Sequence, residues 1–310
     1  MKISNLIKKN RLKIISISLC LLVSALILVA FLPKKRPVPI VENRQGSILA
    51  SPVSSFPPSL MHDKMYDFIV QRKSWDELIK INKETVGWLY IPDTQCNLPV
   101  MLPKGDKERV LEKNEEYYYL YRDVYGKYDI NGTLFIDFRC DSTAEYMSQN
   151  TTIYGHNMLS GSHFGQLSKY RKLDFYRKNP VIRYDTPYKN MTWKVFAIFV
   201  TNTIESQGKI FDYRQPEYED FPEFIKQCKR RSLINCPVDV NEDDRIITLS
   251  TCTSEIKNAR FVVMARKTRE DEGSFVDVSK AEINKKILYP DGWYRVYGGK
   301  PPVFPEDDVS

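Results

Sequence analysis

Eight short β-type runs, each closed by a polar or Gly/Pro turn, constrain this chain more than any other feature. They occupy residues 87–91, 98–102, 132–137, 151–155, 181–184, 192–201, 245–251 and 260–267. β-Branched and aromatic residues dominate them, as suits a pleated and largely buried surface. Eight such runs in one domain of about two hundred residues predict a closed or nearly closed barrel, the architecture that removes exposed strand edges. The expected fold class is mainly β with accessory helices.

Two segments have a helical rhythm instead. Over residues 61–82, Met65, Phe68, Ile69, Leu78 and Ile81 fall at helical spacing, possible across two short helices before the first strand. Over residues 217–232, Phe221, Phe224, Ile225 and Cys228 make one apolar face, and basic residues gather at the C-terminal end, where the helix dipole favours them. This second helix is expected to pack over the long connection into the run at 245–251.

The N-terminus has a different character. Residues 14–32 contain no charge and are long enough to cross a bilayer as one helix. Lys2, Lys8, Lys9, Arg11 and Lys13 precede them, and Lys34, Lys35 and Arg36 follow. The positive-inside rule favours a cytoplasmic N-terminus and an external C-terminal domain. A cleaved signal peptide is the rival reading, disfavoured because the apolar run exceeds a usual signal core. The expected organisation is a cytoplasmic stretch 1–13, a membrane anchor 14–32, a Pro/Ser-rich tether 33–59, a barrel domain 60–268 with N-terminal helices, and a C-terminal extension 269–310.

The same segment accounts for the net charge of +7. Eight of the 46 basic residues, and none of the 39 acidic ones, lie in residues 1–36. The remainder is near neutral, at about −1, so nucleic-acid binding is excluded. Among six cysteines there is no C-x-x-C pair, and the chain has no glycine-rich phosphate loop. No metal site and no cofactor are expected. Cys228 and Cys236 flank the predicted helix end; a bridge between them is possible, and two separate buried thiols are preferred.

Chemistry points to the last two runs. Arg245-Ile-Ile-Thr-Leu-Ser-Thr-Cys252 ends in a thiol, and Arg260 opens the next run in Asn258-Ala-Arg-Phe-Val-Val-Met264. A hairpin-like pairing sets thiol and guanidinium side by side at one sheet edge. An ionised thiol is a strong nucleophile, and a neighbouring fixed cation can hold a developing oxyanion. Of the three histidines, His156 in Asn150-Thr-Thr-Ile-Tyr-Gly-His-Asn157 follows a strand as Cys252 does. His163 lies in the next loop and His62 in a polar segment before any strand. A buried core cysteine, a satisfied loop histidine and a surface arginine are the bland alternative, and three coincident strand-end placements weigh against it.

These residues resemble the class B sortases, cysteine transpeptidases of Gram-positive cell surfaces. Thr248-Leu-Ser-Thr-Cys252 with its downstream arginine, and Tyr154-Gly-His-Asn157, carry the likeness. Val86-Gly-Trp-Leu-Tyr-Ile91, Asn97-Leu-Pro-Val100, Gly132-Thr-Leu-Phe-Ile-Asp137 and His163-Phe-Gly-Gln-Leu167 are similar to stretches of that family in the same order. The resemblance covers roughly residues 60–268. It implies a sortase-type barrel and an enzyme that cleaves the C-terminal sorting signal of a secreted protein through a thioester on Cys252. His156 would act as general acid/base and Arg260 would stabilise the oxyanion. Ser250, Thr251, Ser254 and Asn157 would border the substrate. Ser254 stands where some class B members have an acidic residue, so the group orienting His156 is left open.

The implied partners are secreted surface proteins, a peptidoglycan or pilin amine, and the membrane, with the catalytic domain outside the cell. Wall anchoring is the leading reading. Pilin polymerisation with a lysine acceptor is the second, and a non-enzymatic membrane-tethered binding domain the third. A papain-like protease is disfavoured because the cysteine follows the histidine and no Cys-opening helix motif is present. The 269–310 extension departs from the family pattern. Its aromatic stretch Tyr289-Pro-Asp-Gly-Trp-Tyr-Arg-Val-Tyr297 either packs on the barrel or meets a partner, and its acidic end is expected to be disordered.

Overall fold

A computed structural model describes residues 74–103, 115–143 and 146–305. The expected anchor, tether and first helical segment up to residue 73, and the acidic end 306–310, lie outside the described residues. Among those described, no helix is long and apolar enough to cross a membrane.

All eight expected runs are strands: β1 Thr85–Tyr90, β2 Asn97–Met101, β3 Leu134–Ile136, β4 Asn150–Tyr154, β5 Val181–Asp185, β6 Thr192–Asn202, β8 Ile246–Thr253 and β9 Ala259–Lys267. They close into a barrel in the order β1-β2-β3-β4-β8-β9-β6-β5. β2–β3 and β4–β8 pair in parallel, and the other neighbours are antiparallel. Two further strands, β7 Ile234–Asn235 and β10 Glu282–Ile283, form a separate small ladder. At two residues each, they are too short to leave a periodic signal.

The barrel strands are buried on both faces, which is why they read as near-continuous apolar runs. Ile247, Leu249, Phe261, Val263 and Ala265 fill the interior, together with Leu89, Ile153 and Trp193. The alternate residues Ile246, Val262 and Met264 belong to an outer cluster. That cluster is capped by the helix α3 Phe221–Arg231, whose Phe221, Phe224, Ile225 and Cys228 all join it. Each large apolar side chain so buried contributes about 1.5–3 kcal/mol. Asp220 caps the helix, its Oδ1 accepting from the Glu223 amide at 2.9 Å, and Lys229, Arg230 and Arg231 close the last turn.

Two shorter helices precede it. α1 Trp75–Ile81 starts with a capping box in which the Glu77 amide donates to Ser74 Oγ and the Ser74 amide donates to Glu77 Oε2. α2 is Leu173–Lys178. Cys228 and Cys236 are separate thiols, as are Cys96, Cys140 and Cys252. Burial pushes Cys140 and Cys236 up to about 12, and raises Cys96 and Cys228 as well.

Candidate active site

The outer barrel face carries a polar column that climbs out from under α3. Thr248 Oγ1 donates to Asn150 Oδ1 at 2.7 Å, and Asn150 Nδ2 donates to the carbonyls of Tyr213 and Gln215 at 2.9 and 3.0 Å. One step up, Ser250 Oγ lies 2.8 Å from the Tyr213 hydroxyl. Burial pushes the Tyr213 phenol up. These bonds fasten the β6–α3 connection to the sheet. One step further, on the same face, stand Cys252 and Arg260.

The β8–β9 ladder pairs Cys252 directly with Arg260. Cys252 is the exposed thiol among the described cysteines. The Arg260 guanidinium is half-buried and donates to its neighbour's carbonyl, Ala259 O, at 3.1 Å. Among the described residues it has no carboxylate partner in an ion pair. Its charge is therefore not consumed by the fold, and it remains able to bind an oxyanion.

On the other flank, β4 runs parallel to β8 with Tyr154 opposite Ser250. His156 follows two residues after Tyr154, as Cys252 follows two residues after Ser250. Gly155, between Tyr154 and His156, has no room for a side chain, since a Cβ there would collide with Leu134 and Phe164. Three bonds then tie the strand ends together. The Gly155 amide donates to Ser250 O at 3.4 Å, Thr251 Oγ1 donates to Gly155 O at 2.7 Å, and Asn157 Nδ2 donates to Cys252 O at 2.9 Å.

His156 Nε2 lies 2.8 Å from Leu120 O. A carbonyl can only accept, so Nε2 carries a proton and Nδ1 is the nitrogen left to exchange one. The orienting group missing from the sequence reading is thus a backbone carbonyl. Every residue has one, so no sequence signal could have revealed it. Tyr121 adds a ring 5.6 Å from the imidazole. His163 is committed elsewhere. Its Nε2 donates to Gly132 O at 3.1 Å, its Nδ1 lies 3.2 Å from Ser162 Oγ, and burial pushes its pKa down. His62 lies outside the described residues.

The remaining expected residues hold the walls. The Ser250 and Thr251 hydroxyls are buried and engaged as described, while Asn157 and Ser254 are exposed. The carboxylate beside the cysteine belongs to Glu255, which takes the Arg171 guanidinium and the Thr253 hydroxyl. No group of acidic, histidine and cysteine side chains that could hold a metal occurs among the described residues.

A thiol paired across a ladder with a guanidinium, at the rim of a closed eight-stranded barrel and with a histidine on the neighbouring segment, has the groups that acyl transfer needs. The model of the sortase domain matches residues 89–268, and the chain belongs to the sortase family. Its relatives are of class B. Sortase B of Listeria monocytogenes is 34% identical over 192 residues, which cover 61% of this chain and 72% of that protein. Sortase B of Staphylococcus aureus is 32% identical over 200 residues, covering 63% and 75%. The solved Staphylococcus aureus sortase B–substrate complex superimposes with a TM-score of 0.55 at 29% identity, covering 69% of this chain and 95% of that one. The activity is accordingly that of a class B sortase, a cysteine transpeptidase.

Proposed function

We propose that Cys252 is the nucleophile, His156 the general acid/base and Arg260 the oxyanion stabiliser of this transpeptidase. The observation that carries the assignment is the β8–β9 register, which pairs Cys252 with Arg260, together with the bonds from Gly155 and Asn157 that tie the segment bearing His156 to the end of β8. The Cys252 thiolate attacks a backbone carbonyl in the sorting signal of a secreted protein. Arg260 donates to the carbonyl oxygen as negative charge develops, an effect worth roughly 10²–10³-fold per donor. His156, held through Nε2 by Leu120 O, takes the Cys252 thiol proton on Nδ1 and so generates the attacking thiolate, gives that proton to the leaving amine as the C–N bond breaks, and later takes one from the incoming amine. Such proton transfer is worth roughly 10²–10⁴-fold. The thioester keeps the acyl group activated until the second amine arrives.

The acceptor in this reading is a peptidoglycan amine, and residues 14–32 anchor the enzyme with its barrel outside the cell. The sequence supports the location, since basic clusters flank an uncharged run of bilayer length. Both the emerging substrate and the wall precursor are met at that face of the membrane.

Intact-mass analysis of the enzyme mixed with a peptide library tests the chemistry. The expected result is an acyl adduct on the Cys252 peptide, discharged by hydroxylamine or by triglycine. An adduct that persists in Cys252→Ala overturns the assignment. For the location, protease applied to intact cells should digest the barrel domain, and protection of that domain overturns it.

A further inference from the structure

The family match ends at residue 268, yet residues 269–305 follow a fixed course over the barrel. Val276 enters the outer cluster with α3. β10 pairs with β7, the Asn284 side chain donates to Ser232 O at 2.8 Å, and the Leu288 amide donates to Arg230 O at 2.9 Å. Ile287, Tyr289 and Trp293 then reach the main core. The Tyr289 and Trp293 rings stack with centroids 4.1 Å apart, and Trp293 meets Tyr297 at 4.5 Å. This seats the last helix, α4 Asp291–Tyr297.

From that seat α4 touches two loops at the reactive end. The Tyr297 hydroxyl donates to Glu255 O at 3.1 Å, three residues beyond Cys252. The Glu255 side chain is already held by Arg171 and Thr253, so this turn is gripped through both backbone and carboxylate. On the other side, Arg295 donates to Ser206 O. Gly292 and Gly208 leave no room for a Cβ at this contact: one would strike Gln207 and the other Asp291. The two loops also meet directly, Thr203 Oγ1 donating to Asn258 O at 2.8 Å. The β6–α3 connection that α4 grips is the one whose Tyr213 braces Ser250, two residues before Cys252.

We propose that α4 is a positioning clamp, fixing the β8–β9 turn and the β6–α3 connection to each other so that the wall beside Cys252 is preformed for the sorting peptide. This rests on Cys252 and Arg260 being the reactive pair. Val296 and Tyr297 are 60% and 56% exposed, so the outer face of α4 adds little to the core. Its contacts act on loops instead. Loops left loose must be ordered when substrate binds, which weakens affinity and leaves the chemical step alone.

The test compares full-length wild type, Tyr297→Phe and Trp293→Ala. The probe is the fluorogenic peptide that wild type cleaves fastest in a mixed library, with triglycine as acceptor. Tyr297→Phe removes one hydroxyl and should raise KM about threefold, and Trp293→Ala about tenfold, on the scale of one or two hydrogen bonds. kcat and the iodoacetamide alkylation rate of Cys252 should stay within about twofold. Amide exchange over residues 203–209 and 254–258 should accelerate in both. Unchanged KM and exchange in Tyr297→Phe overturn the clamp, whether or not Trp293→Ala folds. A fall in kcat at constant KM overturns it too, because the helix would then act on chemistry. Failure of the reactive-pair reading appears separately, as peptide cleavage that survives Cys252→Ala.

Discussion

The outer face of β9 begins and ends in an arginine, and the two have opposite fates. Arg266, 1% exposed, is surrounded: Nε donates to Asp239 O at 2.8 Å, and two nitrogens meet the Glu272 carboxylate at 2.7 and 3.2 Å. Lys194 joins Glu272 at 2.9 Å, and Arg269 holds Asp244 through two bonds of 2.9 and 2.7 Å. Six residues earlier, Arg260 donates to a neighbouring carbonyl and has no carboxylate in an ion pair among the described residues. Between them Val262 and Met264 lie under α3. One strand therefore contains a cation neutralised by the fold and another left available for a ligand. A buried charge needs its partners to be tolerated at all, whereas a half-exposed one can remain uncommitted.

The sharpest break between the two ends is at the thiol. Cys252→Ala should reduce turnover by at least about 10⁴-fold, the scale of losing a covalent nucleophile, with stability changed by less than about 0.5 kcal/mol at this exposed position. In the folded enzyme iodoacetamide should label Cys252 and spare Cys96, Cys140, Cys228 and Cys236, whose burial raises their pKa. Peptide mapping of the labelled protein checks this, and modification of a buried thiol at the Cys252 rate would refute it.

His156→Ala comes next, with an expected loss of about 10²–10⁴-fold in kcat. His163→Ala and His62→Ala should retain most activity. A dead His163 variant beside an active His156 one would reverse the assignment of the base.

The smallest effect belongs to the paired end. Burial raises the Glu272 pKa, but the bonds from Arg266 and Lys194 prevail and lower it from 4.5 to about 2. The unfolded chain therefore binds a proton near pH 4.5 that the folded one refuses until about pH 2. Stability from this group is complete above pH 4.5 and is lost as pH falls towards 2. Urea titrations of Glu272→Gln should have a shallower decline across that window, while neutral-pH turnover is unchanged. An identical acid slope would mean that the network does not stabilise the fold.

The two ends also differ in how far the sequence disclosed them. All eight strands were legible, because each is a compact β-branched run between turn residues. The Cys252–Arg260 pairing was legible because a short turn joins its strands, so the contact is local. The parallel neighbour β4 was not, since nothing in Tyr154-Gly-His-Asn157 says which strand it will lie beside. His156 was chosen by analogy of placement, and its Leu120 carbonyl was invisible. The acid partners of Arg266 are scattered over loops, and only the fold brings them together. The role of the extension was hidden for a similar reason. Its aromatics Tyr289, Trp293 and Tyr297 stand four apart, but the stacked Tyr289 and Trp293 become a seat only against the finished barrel.

The central claim is that the β9 arginines divide labour, and one paired measurement tests it. Thermal midpoint and peptide turnover are determined side by side for Arg260→Lys and Arg266→Lys. Lysine keeps the charge but lacks the planar fork. Arg260→Lys should lose at least about tenfold in turnover with its midpoint within about 2 °C of wild type. Arg266→Lys should melt at least about 5 °C lower, as expected for a damaged buried ion network, while its folded molecules turn over within about twofold of wild type. Wild-type turnover in Arg260→Lys, or losses of turnover that simply follow the midpoint in both variants, would contradict the account.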